Sequence, residues 1–426
     1  MKQKRNPWAW IPTLYMAEAL PYVAVMTIST IMYKRLGISN TDIALYTGWL
    51  YLPWVIKPFW SPFVDLMKTK RWWTVTMQFI IALAFACIAF TLPTSLFFQL
   101  SLAAFWLVAF TSATHDIAAD GYYMHALDDH EQSFYVGIRS TFYRIATVAG
   151  QGLLVILAGF LEDSTGNIPM AWAVTMGVLS AVMLAASLYH HFILPHPASD
   201  HAVEGVTTSN IVHEFIDTFK SFFTKKHALV AILFMLLYRL PEAQLVKLIN
   251  PFMLDPIDQG GLGLTTSQVG IVYGTIGIIG LTIGGILGGL AAARGGLKKW
   301  LWPMVCAITL PDLVYVYLSY FQPESLVVIN ACIFVEQFGY GFGFTAYMLY
   351  LIYFSEGEHK TAHYAICTGF MALGMMLPGM MAGWLQETIG YRHFFLWTIV
   401  CCAATFVVCA FLKIDPQFGK KDKTSA

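Results

Sequence analysis

Apolar runs of twenty residues or more recur along the whole 426-residue chain, divided by short polar stretches. Runs of this length cross a bilayer as helices and are too long for barrel strands. The pattern predicts twelve spans. They cover residues 8–32, 42–63, 73–92, 96–124, 134–161 and 169–194, then 228–254, 266–292, 299–321, 325–353, 361–386 and 392–413. A polar interval follows the sixth. Within it Ile211, Val212, Phe215, Ile216, Phe219, Phe222 and Phe223 share one helical stripe behind a cap at Ser209 or Asn210. That is the pattern of an amphipathic helix lying on the membrane surface. The expected organisation is an N-terminal six-helix bundle over 1–194, a cytoplasmic linker over 195–227, and a C-terminal six-helix bundle with a short tail over 228–426.

The two halves repeat. Leu36-Gly37-Ile38-Ser39 matches Leu262-Gly263-Leu264-Thr265, Lys70-Arg71-Trp72 matches Lys298-Lys299-Trp300, and Ala158-Gly159-Phe160-Leu161 matches Ala382-Gly383-Trp384-Leu385. The offsets are 226, 228 and 224, so three matches stand nearly in register. The fold class is therefore an all-α polytopic membrane protein, twelve helices in two pseudo-symmetric bundles. Small residues at Gly150, Gly152, Gly159, Gly374, Gly379 and Gly383 permit close helix approach.

Composition agrees and narrows the partners. Hydrophobic residues make up 57% and charged residues 12%, about half the usual charged share. The formal net charge is zero, which gives no nucleic acid a basic face to bind. Seven cysteines, all in apolar runs without CxxC or Cys/His spacing, indicate neither disulfides nor a metal centre, and no cofactor is expected. Lys2, Lys4 and Arg5 precede a run too long for a signal-peptide core, so the first span is expected to be retained. With both termini inside, 17 of the 25 Lys and Arg fall on the cytoplasmic side and only Lys34, Arg35 and Arg392 outside. The positive-inside rule selects that orientation.

Charges inside spans carry the chemistry, because a free charge at the bilayer centre costs several kcal/mol unless paired, hydrated or functional. Glu18 lies in the first span, Asp116 and Asp120 in the fourth, Arg239, Glu242 and Lys247 in the seventh, Glu336 in the tenth, and Asp312 in the ninth. Arg139 and Arg144 follow the short turn after the fourth span. They reach the depth of Asp116 and Asp120 if the chain turns back there. A structural lock between two helices and a transport path both fit that arrangement. Leu20-Pro21 and Leu240-Pro241 interrupt the first and seventh spans at matched places, which fits either a kink or a binding site. Glu242 can neutralise only one of Arg239 and Lys247, so one cation is left for water or an anionic ligand. Tyr340, Phe342 and Tyr347 near Glu336, with Tyr22 and Tyr238, offer flat faces for a sugar ring. His115 and His125 could relay protons, though a hydrogen-bonded neighbour of Asp116 fits His115 as well.

The segment SPFVDLMKTKRWW (61–73) resembles the loop motif after the second helix of the major facilitator superfamily. Asp65 takes the acidic position, and Lys68, Lys70 and Arg71 the basic ones. Its second copy, GLAAARGGLKKW (289–300), keeps Arg294, Gly296 and Lys298 but has Ala293 where an acid would stand. Within that superfamily, SATHDIAADGYYMHAL (112–127) and residues 360–395 resemble the AmpG-type muropeptide permeases and their acetyl-CoA transporter relatives. In place of the usual permease residues the first span carries Glu18.

The resemblance implies helices 1, 4, 7 and 10 around a central cavity, which is where most of the intramembrane charges fall. It implies a proton-coupled secondary transporter of the bacterial cytoplasmic membrane that imports anionic cell-wall sugars or muropeptides by alternating access. The substrate would meet Arg239, Lys247, Glu242, Tyr22, Tyr238, Glu336 and Tyr340. Protons would pass through Glu18, Asp116 or Asp120. Asp65, Lys68, Arg71, Arg139, Arg144 and Arg294 would serve gating, with Asp65 latching onto the start of the eleventh helix near Thr361. Ala293 cannot make the matching contact near Ser133. Another organic anion, such as a CoA thioester or sugar acid, is the alternative cargo, and a non-transporting sensor the alternative class. With no Walker A sequence, GxSxG elbow or HExxH, no enzyme is expected.

Overall fold

The computed structural model describes residues 5–127, 129–200, 208–357 and 360–418, and among these every regular element is a helix. Among the described residues ten helices are long and apolar enough to cross a membrane. Span 1 is Pro7–Arg35, span 3 Lys70–Thr91, span 4 Phe97–Ala126, span 5 Ile138–Thr165 and span 6 Ile168–Ile193. In the second half, span 7 is Ala228–Leu254, span 8 Thr266–Gly295, span 9 Leu297–Phe321 and span 10 Leu326–Ser355.

Two further facts restore the count to twelve. Span 2 comes in two pieces, Asn40–Trp49 and Leu52–Met67, each too short to count alone. Pro53 opens the second piece, where its missing N–H costs nothing. The last helix, Lys360–Ala410, contains Gly390 at φ 77°, ψ 164°, so it is two helices, spans 11 and 12, meeting at a corner only glycine takes readily. Phe90, Phe192, Leu229, Phe321 and Val327 are 70–81% exposed, a surface that suits lipid and not water. The chain is a multi-pass helical membrane protein.

The internal repeat has a backbone cause. Gly37 (φ 82°) and Gly263 (φ 64°) turn the chain before spans 2 and 8. Two residues later Ser39 accepts from the Asp42 N–H, and Thr265 accepts from the Gln268 N–H in a full capping box. Gly166 (φ 63°) ends span 5 as Gly390 ends span 11, at the offset of 224 seen in the sequence.

Contacts divide the chain into two compact units. The first is Met1–Gly37 with Ile56–Ile211, and the second Ile38–Val55 with Val212–Ala426. In the first, Arg35 donates to Glu162 at 3.0 Å and Trp172 Nε1 donates to the same carboxylate at 2.8 Å, which ties spans 1, 5 and 6. In the second, the first piece of span 2 lies on span 11 so closely that a Cβ on Gly383 would collide with the carbonyl of Asn40. Asn40 Nδ2 donates to Gln386 Oε1 (2.7 Å) and to the Tyr391 hydroxyl (3.0 Å), while Tyr391 donates to Asp255 (2.6 Å).

The linker helix runs Thr208–Phe223. Ser209 and Asn210 therefore lie within its first turn, and the capping position at 207 is outside the described residues. Phe222 is fully buried against Phe354, His363 and Phe370, whereas Ile216 and Phe223 stay exposed. Just after it, burial pushes the Lys225 ammonium below its ordinary pKa. Its Nζ donates to the carbonyls of Phe354 (2.6 Å) and Glu356 (2.8 Å), satisfying orphan acceptors at the end of span 10.

Candidate functional site

In the first unit, three carboxyls gather. Glu18 follows Ala17 on span 1 in the helix Ile11–Val23, whose Pro21 is absorbed without a break. The π-helical turn Ala24–Ile28 follows, and the Ala24 N–H reaches the carbonyls of both Leu20 and Pro21. Asp116 and Asp120 lie one turn apart on span 4. Arg139 donates to Asp120 at 2.9 Å and to the Tyr15 hydroxyl at 2.8 Å, and Tyr15 in turn donates to Asp120 at 3.2 Å. The guanidinium also lies 4.9 and 5.0 Å from the ring centres of Tyr15 and Tyr123. Asp116 pairs with Lys57 of span 2 and not with an arginine. Glu18 is within electrostatic reach of Asp120 and Arg139 and within hydrogen-bonding reach of Asp116; among the described residues it makes no ion pair, and its buried Oε2 has no hydrogen-bond partner.

His115 turns away from this group. It accepts from Gln78 Nε2 (2.9 Å), Gln78 Oε1 accepts from His190 (2.8 Å), and His190 accepts from Thr13 (2.9 Å), a satisfied buried chain across spans 4, 3, 6 and 1.

In the second unit, span 7 breaks. Its helices are Ala228–Leu237 and Leu240–Leu254, and Arg239 caps the second at φ −105°, ψ 18°. Pro241 in the first turn cannot donate to the preceding helix, which is the cause of the break. Arg239 donates to the Tyr340 hydroxyl and stacks on span 10, 4.8 Å from the Phe344 ring and 5.4 Å from that of Tyr340. Lys247, 1% exposed, donates to Thr47 Oγ1 at 2.9 Å and lies 5.1 Å from the Tyr51 ring centre. Among the described residues neither cation has a carboxylate at contact distance. Glu242 and Glu336 converge instead with Asp312, their oxygens within 4.8 Å of one another.

The other expected residues are dispersed. Tyr238 spends its hydroxyl on the Gly343 carbonyl (2.9 Å) and packs between Phe234 and Tyr347. Tyr22 is half-buried on span 1, in the first unit. Arg71 donates to the carbonyls of Leu194 (3.1 Å) and His191, tying span 3 to the end of span 6. Lys68, Arg144 and Arg294 are exposed. The side chains of Asp65, Ser133 and Thr361 lie outside the described residues.

Lys57, Tyr15 and Thr47 were not legible as site residues. Lys57 is a lone charge in an apolar run, and that was its one signal.

The model of the Major Facilitator Superfamily matches residues 13–377. A Rickettsia conorii protein carrying the name AmpG 4 is 26% identical over 415 residues, 94% of each chain. The anhydromuropeptide permease of Escherichia coli (strain K12) is 25% identical over 391 residues, 90% of this chain and 74% of that protein. Among solved structures, a point mutant of the nucleoside transporter NupG superposes with a TM-score of 0.73 at 14% identity, covering 95% of this chain and 99% of that one. A D-xylose-proton symporter gives 0.70 at 11% identity, covering 97% and 98%. The matched helices, the repeat and the whole-length likeness agree: this chain belongs to the major facilitator superfamily and resembles its AmpG-type transporters.

Proposed function

We propose that this protein is a proton-coupled secondary transporter that imports anionic muropeptides or related cell-wall sugars across the bacterial cytoplasmic membrane, with both termini cytoplasmic. The observation that carries the reading is the pair of buried cations on span 7. Among the described residues Arg239 and Lys247 hold hydroxyls and ring faces and no carboxylate at contact distance, so a carboxylate-bearing ligand would meet two unpaired cations. A guanidinium on stacked aromatic faces suits a carboxylate, and the rings suit a sugar. The permease name of the E. coli relative supports the same cargo.

In the first unit, Asp116 and Asp120 each form an ion pair with a cation and Glu18 forms none among the described residues. Glu18 is therefore the carboxyl we assign to the transported proton.

The test is uptake of labelled anhydro-muropeptides, amino sugars and sugar acids by proteoliposomes under an imposed pH gradient. Gradient-dependent accumulation of the muropeptide, reduced in Arg239→Ala and Lys247→Ala, is expected. Absence of uptake of any member of the panel would remove the transport reading.

A further inference from the structure

Deep in the second unit, carboxylates from three spans meet. Glu242, Asp312 and Glu336 are 4%, 1% and 2% exposed, and each offers an oxygen within 4.8 Å of the others. Helix interruptions bring two of them there. Glu242 follows Pro241 in the first turn of Leu240–Leu254, and Asp312 follows Pro311 in a 3-10 turn, Leu310–Asp312, inside span 9. Glu336 projects from mid-helix in span 10.

The hydrogen bonding is lopsided in a way that an ordinary acidic cluster does not require. The Tyr315 hydroxyl (2.6 Å) and Gln337 Nε2 (2.9 Å) both donate to Oε2 of Glu336, and Cys402 Sγ reaches Oδ2 of Asp312 at 3.8 Å. Donors on the outside thus fix one oxygen of Glu336, whereas the Cys402 thiol lies nearer the Thr398 carbonyl (3.4 Å) than Asp312 and holds that carboxylate only weakly. The other oxygen of Asp312, Oδ1, is fully buried without a partner. Glu242, aimed at the same point, makes no hydrogen bond or ion pair among the described residues. Arg239, three residues before Glu242, is the base within electrostatic reach, and Tyr273, Tyr315 and Tyr340 add only hydroxyls from spans 8, 9 and 10.

Three buried carboxylates at this spacing cannot all hold charge without positive charge among them. Arg239 is within electrostatic reach of Glu242 but pairs with none of the three among the described residues, so the cluster itself holds no positive charge. The ligand set is all oxygen, which selects a hard cation. Oxygens bound to one ion at about 2.3–2.6 Å lie at most about 5 Å apart, as these do. We propose that Glu242, Asp312 and Glu336 bind one divalent hard cation, of the calcium or manganese class, occluded within the second six-helix unit. The tyrosine and glutamine donors would orient Glu336. This site requires neither the anionic cargo nor the proton path of the preceding section, so each can fail alone.

The test uses full-length protein in nanodiscs, stripped with a chelator and titrated with radioactive calcium at pH 6 and pH 8. The thermal midpoint is followed in calcium or manganese chloride, with potassium chloride to hold ionic strength. One saturable equivalent per chain and a midpoint that rises with calcium are expected. Asp312→Asn and Glu336→Gln should each weaken calcium at least tenfold, while the stripped variants melt no lower than stripped wild type because like charge has been removed. Glu324→Gln, on an exposed loop, should bind as wild type. Absence of saturable calcium or manganese binding at both pH values, with a midpoint that rises only on acidification, would overturn the site in favour of carboxyls holding protons. Unchanged binding in both cluster variants would also overturn it. The wild-type stoichiometry decides the question even where a variant fails to fold.

Discussion

The Lys57–Asp116 pair gives a prediction whose size follows from its surroundings. The two side chains are 27% and 23% exposed. Breaking a fully buried pair costs about 3–5 kcal/mol, and an exposed one is worth about 0–1. These exposures place Lys57→Met near 2 kcal/mol, because Asp116 would then share its region with Glu18 and Asp120 and only Arg139 for a counter-charge. At roughly 2–4 °C per kcal/mol for a unit of this size, the thermal midpoint should fall by about 4–8 °C. Asp116→Asn alone should cost a comparable amount by stranding the lysine. The double variant should recover at least about 1 kcal/mol of the summed loss, since neither charge is left behind. Fluorescence-detected size exclusion after heating reads all four proteins in one detergent. If the double variant melts where the two single losses add, the pair is a contact without coupling and the reasoning fails.

Other substitutions test the remaining claims. Arg239→Ala and Lys247→Ala should each weaken binding of an anionic muropeptide more than tenfold, about 1.4 kcal/mol, at normal protein yield; unchanged affinity in both, by equilibrium binding, removes the anion site. Glu18→Gln should abolish gradient-driven accumulation in proteoliposomes yet leave substrate exchange measurable, and persistent accumulation moves the proton elsewhere. Gly383→Val should sharply reduce folded yield, because its side chain would strike the Asn40 carbonyl, whereas Gly289→Ala, with nothing within 4 Å, should express as wild type. Tyr391→Phe should lower the thermal midpoint by about 2–4 °C through loss of its bond to Asp255, about 1 kcal/mol in a unit of this size.

The fold was legible because lipid imposes a coarse rule that sequence states directly: long apolar runs, polar turns and a repeated pair of half-chains. Span 7 falls over 228–254 in both sequence and structure, and the repeat's glycines and caps explain its matched tetrapeptides. Lateral pairing was not legible. Asp116 and Asp120 sit one turn apart, yet one meets a lysine on span 2 and the other an arginine on span 5. Only the relative rotation of three helices decides that, and periodicity within one helix carries no information about it. Pro21 and Pro241 match in the sequence but differ in effect: one is absorbed by a widened turn and the other breaks the helix.

The two units draw on similar inventories and use them in opposite ways. Each holds three intramembrane acids away from its span ends: Glu18, Asp116 and Asp120 in the first, with the bases Lys57, Arg139 and Arg144, then Glu242, Asp312 and Glu336 in the second, with Lys247 and Arg239. In the first unit Lys57 and Arg139 each take an acid, and Glu18 makes no ion pair among the described residues. In the second, among the described residues, neither Arg239 nor Lys247 takes an acid at contact distance: the bases sit on hydroxyls and rings, and the acids face one another. Keeping opposite charges apart in a medium of low dielectric costs free energy that direct pairing would recover. The separation is sustained by side chains that hold each group in place, Tyr340 and Phe344 for Arg239, Thr47 and Tyr51 for Lys247, and Tyr315 and Gln337 for Glu336. In a unit built this way Arg239 and Lys247 stand three and five residues from Glu242, so both cations and one member of the acidic cluster share span 7. An anion at the bases and a cation at the acids would each relieve the charge that the fold leaves unpaired.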